Sequence, residues 1–226
     1  MESLLKNPVY YALATGDRLL AEGDAHVKYF PAEVSPFAGF EEGLTDGFER
    51  LHALLPAGRS ILFARPEPLT QVPGGWLIKH HIPGLQFIHR QLQSYRPQAE
   101  IRTLHQAHIL EMIALTRLTR PGPFGTRTIE FGSYGGIFEK GKIAAMAGER
   151  LHIENFSEIS AVCTHPEYLG KGYATDLLQY LIQHLLSKGK TPFLHVRADN
   201  ERAIAVYQRL GFAKSRLMQF YFMELT

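Results

Sequence analysis

The amino-acid sequence predicts a mixed α/β fold in which helices cover a sheet, and three observations carry that reading. Runs of strand-like alternation are interleaved with segments of helical periodicity. Ala174, Leu177, Leu178, Leu181, Ile182 and Leu185 form one apolar stripe at helical spacing. Lys140-Gly141 separates two β-type runs by the two residues of a tight hairpin. Helices crossing between strands then make a layered structure the stable solution.

In chain order, the first hundred residues carry the weaker signals. They predict a helix near Thr45–Leu55, a strand at Ser60–Arg65 and another at Trp76–Ile82, separated by turns containing proline and glycine. The polar, proline-containing segment Gln91–Gln98 is the best linker. It divides the chain into an N-terminal α/β unit, residues 1–97, and a C-terminal unit, residues 98–226. Beyond it, Glu100–Leu104 alternates as a strand. Ile109, Met112, Ile113 and Leu115–Leu118 recur as a helix until TRPGPFGTRT breaks the pattern. Tyr134–Glu139 and Lys142–Ala147 are the hairpin strands, and Phe156–Thr164 is a third, stopped by His165-Pro166. The striped helix follows, with Gly189 as its stop. A strand at Phe193–Arg197, a helix from Asn200 to Leu210 ended by Gly211, and two closing strands around Phe212 and Phe220–Leu225 complete the order.

Composition narrows what such a chain does. With 45% apolar, 11% aromatic and 20% charged residues it has ordinary globular usage, which excludes disorder as the main state. A net charge of +2 gives no broad field, so neither nucleic-acid nor membrane-surface binding is expected. Residues 1–50 nonetheless hold nine acidic and four basic side chains, against thirteen and twenty in the rest, so the two ends face different surroundings. The single cysteine, Cys163, excludes an internal disulfide and a cysteine-based zinc cluster. His80-His81 and His105/His108 have no third ligand at suitable spacing, and no metal is expected. The N-terminus lacks the basic start and apolar run of a signal peptide, and no stretch approaches the roughly 20 apolar residues of a membrane span. A cytoplasmic location is expected, with a monomer or a homodimer both open.

Glu158–Ala174, EISAVCTHPEYLGKGYA, is the stretch that carries chemistry. A strand runs into a glycine-containing turn and straight into a helix, whose first-turn N–H donors favour an anionic group such as phosphate. Gly170 and Gly172 let the backbone approach closely. Gly-x-Gly alone is a weak signal. The stretch lacks the Gly-Lys-Ser/Thr of a P-loop and the third glycine of the Rossmann fingerprint.

The run V-C-T-H-P-E-Y-L-G-K-G-Y-A, followed some twenty-five residues later by D-N-E-R-A-I-A-V-Y-Q-R-L-G-F, resembles the GNAT superfamily of acetyl-CoA-dependent N-acetyltransferases over roughly residues 99–226. The resemblance implies a GNAT acyltransferase fold at the C-terminus, acetyl-CoA as co-substrate and an amine as acceptor. The family's pyrophosphate loop, Arg/Gln-x-x-Gly-x-Gly/Ala, falls on Leu169-Gly170-Lys171-Gly172-Tyr173-Ala174, with Leu169 where Arg or Gln is usual. Backbone N–H groups and the helix dipole do most of the holding, so the change is expected to weaken binding rather than abolish it. Lys171 supplies a compensating charge. The resemblance also implies that the preceding strand splays from its neighbour and offers the backbone of Val162, Cys163 and Thr164 to the pantetheine arm.

An amine is mostly ammonium at neutral pH and must lose a proton before it attacks a thioester, so a base is needed near the carbonyl carbon. Glu158, 14 residues before Gly172, stands where several family members place a catalytic glutamate. A pKa raised by burial would support that role against a solvated strand-end carboxylate. Alternation puts Glu158 on one face with Ser160, Val162 and Thr164, and Cys163 on the other, where a buried structural thiol is expected. Tyr207, seven residues after Asn200, holds the family's position for the acid that protonates the CoA thiolate; its alternative is packing on the sheet. Asn200 is either an N-cap or a ligand contact. An N–H near Val162 would hold the oxyanion. In the Thr119–Thr128 loop, where the family builds its acceptor pocket, Arg120, Phe124 and Arg127 are candidates, either arginine recognising a carboxylate. Glu41, Glu42, Asp46 and Glu49 would attract a cationic acceptor if they folded over the cleft. The expected reaction is acetyl transfer to a primary amine, of a small molecule or of a peptide, by direct attack in a ternary complex. A non-catalytic acyl-CoA sensor is the rival, and residues 1–97 are either a degenerate copy of the fold or a substrate-shaping lid.

Overall fold

The computed structural model describes residues 2–91 and 97–226. After a 3-10 turn, Pro8 opens α1 (Pro8–Ala14), its missing N–H falling where a helix has no internal acceptor to lose. α1 lies against β2 and β3 of a small antiparallel sheet: β1 (Glu22–Gly23), β2 (Val27–Tyr29) and β3 (Ala38–Phe40). None of these four elements is signalled by the sequence pattern, because each is too short to show a period. α2 (Gly47–Leu54) and β4 (Ser60–Arg65) follow where expected.

β5 (Trp76–His89) runs well past the predicted Ile82, through Pro83 and Gly84. Proline is tolerated there for a positional reason. The Pro83 carbonyl accepts from Ala198 N at 3.0 Å, just past the end of β10 (Thr191–Arg197), whose last paired residue, Arg197, faces Gly84. The absent N–H therefore points beyond the end of the neighbouring strand and removes no ladder bond.

The remaining elements are β6 (Arg102–Leu104), α3 (Ile109–Thr119), β7 (Tyr134–Glu139), β8 (Lys142–Ile153), β9 (Phe156–Thr164), α4 (Tyr173–Ser187), α5 (Glu201–Arg209) and β11 (Phe212–Leu225). β8 outlasts the predicted Ala147. The two closing strands expected at the C-terminus are one bulged strand, β11, paired with β5 over nearly its whole length. Gly189 ends α4 at φ +70°, with Lys190 N–H donating to Leu185 O and Gly189 N–H to Leu186 O, the paired bonds of a glycine-terminated helix.

The large sheet has the order β4-β11-β5-β10-β9-β8-β7-β6. Strands β4 and β5 come from the first 97 residues, and β5 lies between β10 and β11, so the two segments divided at the Gln91–Gln98 linker share one sheet. The linker itself, apart from Gln91, Pro97 and Gln98, lies outside the described residues.

Side chains alternate across this sheet into two layers. Leu194 and Val196 pack with the α4 stripe, while Phe193 packs with Val9 and Leu13 of α1. α3 also packs on β8 and β9, its Met112 and Leu115 meeting Met146 and Cys163. Asp17 fastens the N-terminal segment to β8: its carboxylate accepts from the His152 backbone N–H at 2.9 Å and meets His152 Nδ1 at 2.7 Å. Glu149 meets His152 Nε2 at 3.0 Å. Burial opposes a charge on His152, but the two carboxylates outweigh it and raise its pKa to about 9.

Candidate active site

Among the described residues, β9 and β10 are the only parallel strand pair in the large sheet, and their register covers just Phe156–Glu158 against Thr191–Phe193. Beyond Glu158 the two strands part. β9 continues on β8 to Thr164, and β10 continues on β5 to Arg197. The backbone of Val162, Cys163 and Thr164 thus lies along an edge that β10 has left.

Glu158 stands where the strands diverge and is 0% exposed. Arg150 on β8 grips it in a fork, Nε to Oε2 at 2.8 Å and Nη2 to Oε1 at 2.6 Å. His195 Nδ1 reaches Oε1 at 2.7 Å. Burial pushes the carboxyl up, yet Arg150 and His195 together more than reverse it and hold its pKa at about 2. The raised pKa that would support a base is thus not what the site produces, because the charges that decide it sit on other strands. His195 Nε2 is 3.0 Å from Gln86 Nε2, which also donates to Leu5 O at 2.9 Å. Since that amide nitrogen donates, His195 carries its proton on Nδ1, toward the carboxylate.

A bulge changes the faces of β9. Gly148 faces Ser160 but Met146 faces Cys163, and Ala161 adopts φ +53° between them. Ala161 and Val162 are left outside the ladder, and the residues after them are reversed relative to simple alternation. Cys163 is brought to the α3 side, the side of Glu158, where it packs with Met112 and Leu115 and contacts Thr119. Val162 and Thr164 turn to the α4 side: Val162 packs on the α4 cluster, and Thr164 faces Ala145 of the same cluster. The expected grouping of Glu158 with Val162 and Thr164 is thereby corrected. Burial pushes the Cys163 thiol up to about 11.

The turn before α4 has the predicted form. Gly170 and Gly172 both adopt the left-handed conformation, φ +82° and +83°, and nothing lies within 4 Å of where a side chain would start on either. Gly172 caps α4, so the first-turn N–H groups of Tyr173 and Ala174 open onto that space. Such a turn fits a pyrophosphate. Leu169 is exposed beside it, and Lys171 is engaged: its Nζ is 3.0 Å from Glu139 Oε1, which also accepts from the Tyr173 hydroxyl. Asn200 caps α5, accepting from Ala203 N at 3.2 Å. Tyr207 on α5 is 9% exposed among the residues that pack α4 and α5 on the sheet, and burial pushes its phenol up to about 12.

On the α3 side of the opening lies a cavity of about 540 Å³, in the usual range for small-molecule sites. Arg150 and His195 form part of its wall; Glu158, behind them, does not. Of the loop residues singled out from the sequence, Arg120 and Phe124 line it. Arg127 does not: it makes a fork with Glu130 at 2.7 and 2.8 Å. Glu41, Glu42, Asp46 and Glu49 are absent from the wall. The N-terminal segment contributes Phe37, whose ring lies 4.8 Å under the Arg150 guanidinium, and Leu62. Arg150, His195, Gln86 and Arg117 escaped the sequence reading. His195 does alternate with Phe193 on β10, but nothing local marks its partner as Glu158, 37 residues away.

The FR47-like protein family model matches residues 134–222. A GNAT-family protein from Novosphingobium aromaticivorans DSM 12444 is 32% identical, with 98% of each chain covered and a TM-score of 0.91. Shorter stretches are similar to curated enzymes. The ribosomal protein bS18-alanine N-acetyltransferase of Escherichia coli K12 is 33% identical over 38% of this chain and 58% of its own length. The mycothiol acetyltransferase of Corynebacterium aurimucosum is 33% identical over 36% of this chain and 28% of its own. The chain thus spans little more than half of the first of these relatives. The similarity over the full length to the Novosphingobium protein, together with a parallel strand pair that opens beside a glycine-turned helix, establishes that this chain belongs to the GNAT family.

Proposed function

We propose that the protein is an N-acetyltransferase that moves the acetyl group of acetyl-CoA to a primary amine, by direct attack in a ternary complex. The observation that carries this reading is the parting of β9 from β10 at Glu158, with the glycine turn before α4 serving one end of the opening and an open cavity on the α3 side. The first-turn N–H groups at Gly172, Tyr173 and Ala174 hold the pyrophosphate, and the free edge of Val162, Cys163 and Thr164 pairs with the pantetheine arm. The bulge frees the backbone at Ala161 and Val162 to steady the oxyanion. The amine nitrogen bonds to the acetyl carbon as the carbon–sulfur bond breaks, the thiolate leaving with the electron pair.

Two features handle the protons. The excess of arginines over carboxylates in the cavity wall disfavours an ammonium, which lowers the acceptor's own pKa. The proton then passes to the Glu158–His195 pair. Glu158 stays ionised as the charge partner, and His195 takes the proton on Nε2, where the buried and unpartnered Oε1 of Gln86 can turn to accept it. Tyr207, kept protonated by burial, donates to the leaving thiolate. The small cavity favours a small-molecule amine over a folded protein.

A sensor that binds acyl-CoA without turnover is favoured by one observation, the placement of Glu158 behind Arg150 and His195. Calorimetric titration with acetyl-CoA, followed by thiol release across an amine panel, tests both readings. No binding of acetyl-CoA sinks the proposal, and binding without turnover favours the sensor. For the proton pair, Glu158→Gln and His195→Gln should each lower kcat and alter its pH profile; unchanged profiles would remove both from the mechanism.

A further inference from the structure

We propose that the acceptor is a primary amine that also bears a carboxylate and an apolar body, an amino acid or a close analogue, with its carboxylate held by Arg117 and Arg120. The inference rests on the acetyltransferase reading and names the substrate class of the same site.

Among the described residues, the wall of the cavity contains four arginines, Arg117, Arg120, Arg150 and Arg197, and no carboxylate. Two of the four are already neutralised. Arg150 forks onto Glu158, and Arg197 forks onto Asp199 at 3.0 and 2.8 Å. The guanidinium groups of Arg117 and Arg120 have no hydrogen-bond or ion-pair partner among the described residues. Two unpaired guanidiniums at one cavity present a field that attracts a compact anion and repels a second cation, and their planar forks match a carboxylate. Polyamines and aminoglycosides, with several ammonium groups, would meet no counter-charge here. The rest of the wall is apolar, with Leu62, Phe124, Phe220 and Phe222 available to an aliphatic or aromatic side chain.

The backbone at Arg120 points the same way. It ends α3 at φ +51°, a conformation in which glycine is the unstrained choice, and it is followed by Pro121 and Pro123. A purely structural account is available, since cations at a helix C-terminus are favourable to the dipole. The two accounts differ in what substitution does. If Arg120 only terminates α3, Arg120→Gly relieves the left-handed strain and leaves ligand choice unaffected. If Arg120 reads a carboxylate, the same variant melts higher and loses its selectivity.

The test uses matched ligands that differ only in the carboxylate. N-acetylphenylalanine and N-acetylphenethylamine are titrated calorimetrically into the full chain, with and without CoA, and phenylalanine, phenethylamine and spermidine are compared as acceptors by thiol release. The expected result is binding of the carboxylate-bearing member at least about tenfold tighter, with the ratio falling toward one in Arg120→Gln and in Arg117→Gln. Acetyl-CoA affinity serves as the check that each variant is folded. Equal binding of the two ligands, binding of neither, or a preference for spermidine overturns the inference. A failure of acetyl-CoA to bind overturns the acetyltransferase reading instead, while the titrations without CoA still report on the cavity's choice of ligand.

Discussion

Removing Arg150 is the sharpest perturbation this site offers. In Arg150→Met the methionine fills much of the space over Phe37, but Glu158, 0% exposed, loses both bonds of the fork and retains only His195. Breaking a buried pair from one side strands a charge, which typically costs about 3–5 kcal/mol. The pH dependence carries the decisive sign. In the natural protein the Glu158 pKa is depressed from 4.5 to about 2, so it contributes stability that is present above pH 4.5 and lost as pH falls through 2, at most about 3 kcal/mol. Without Arg150, burial dominates and the folded pKa rises above 4.5. The sign then reverses, and stability falls as pH rises past 4.5. Urea unfolding of both proteins between pH 5 and pH 8 should show the gap widening with pH. Arg150→Met/Glu158→Leu, which removes both charges, should recover part of the loss. A loss below about 1 kcal/mol, or one independent of pH, would refute the claim that Arg150 is what holds Glu158 ionised.

Three further outcomes are expected. His152 has a folded pKa raised from 6.5 to about 9, so its contribution is full below pH 6.5 and lost as pH rises through 9, at most about 3 kcal/mol; melting temperatures should show Asp17→Asn strongly destabilised at pH 6 and little affected near pH 10. Gly172→Ala places a side chain at φ +83°, which should cost about 1–2 kcal/mol in urea unfolding and weaken acetyl-CoA binding by calorimetry; unchanged affinity would argue against the turn as the pyrophosphate site. Because burial keeps the Cys163 thiol protonated at neutral pH, Cys163→Ala should retain turnover within a few-fold, and mass spectrometry should find no acetylated cysteine in the natural protein.

The local parts of this protein were legible in its sequence. The α4 stripe, the Gly170/Gly172 turn, the Asn200 cap and the bounds of β4, β7 and β9 all follow from the spacing of nearby residues, since helix period, strand alternation and left-handed glycine are properties of a few consecutive positions. Tertiary structure decided the rest. Pro83 reads as a strand end until β10 is seen to stop beside it. Cys163 moves to the face of Glu158 because β9 holds one more residue than β8 across Gly148–Met146, and a mismatch between two strands is invisible in either one alone. The pKa of Glu158 goes down rather than up because Arg150 and His195 arrive from strands 8 and 37 residues away. The cavity on the α3 side is likewise assembled by pairing: β5 wedges between β10 and β11 and carries the N-terminal segment onto that side, where Phe37 and Leu62 form part of the wall. Sequence sets what each short segment can become; which charges and surfaces then meet depends on strand order, and strand order is a long-range choice made by the sheet as a whole.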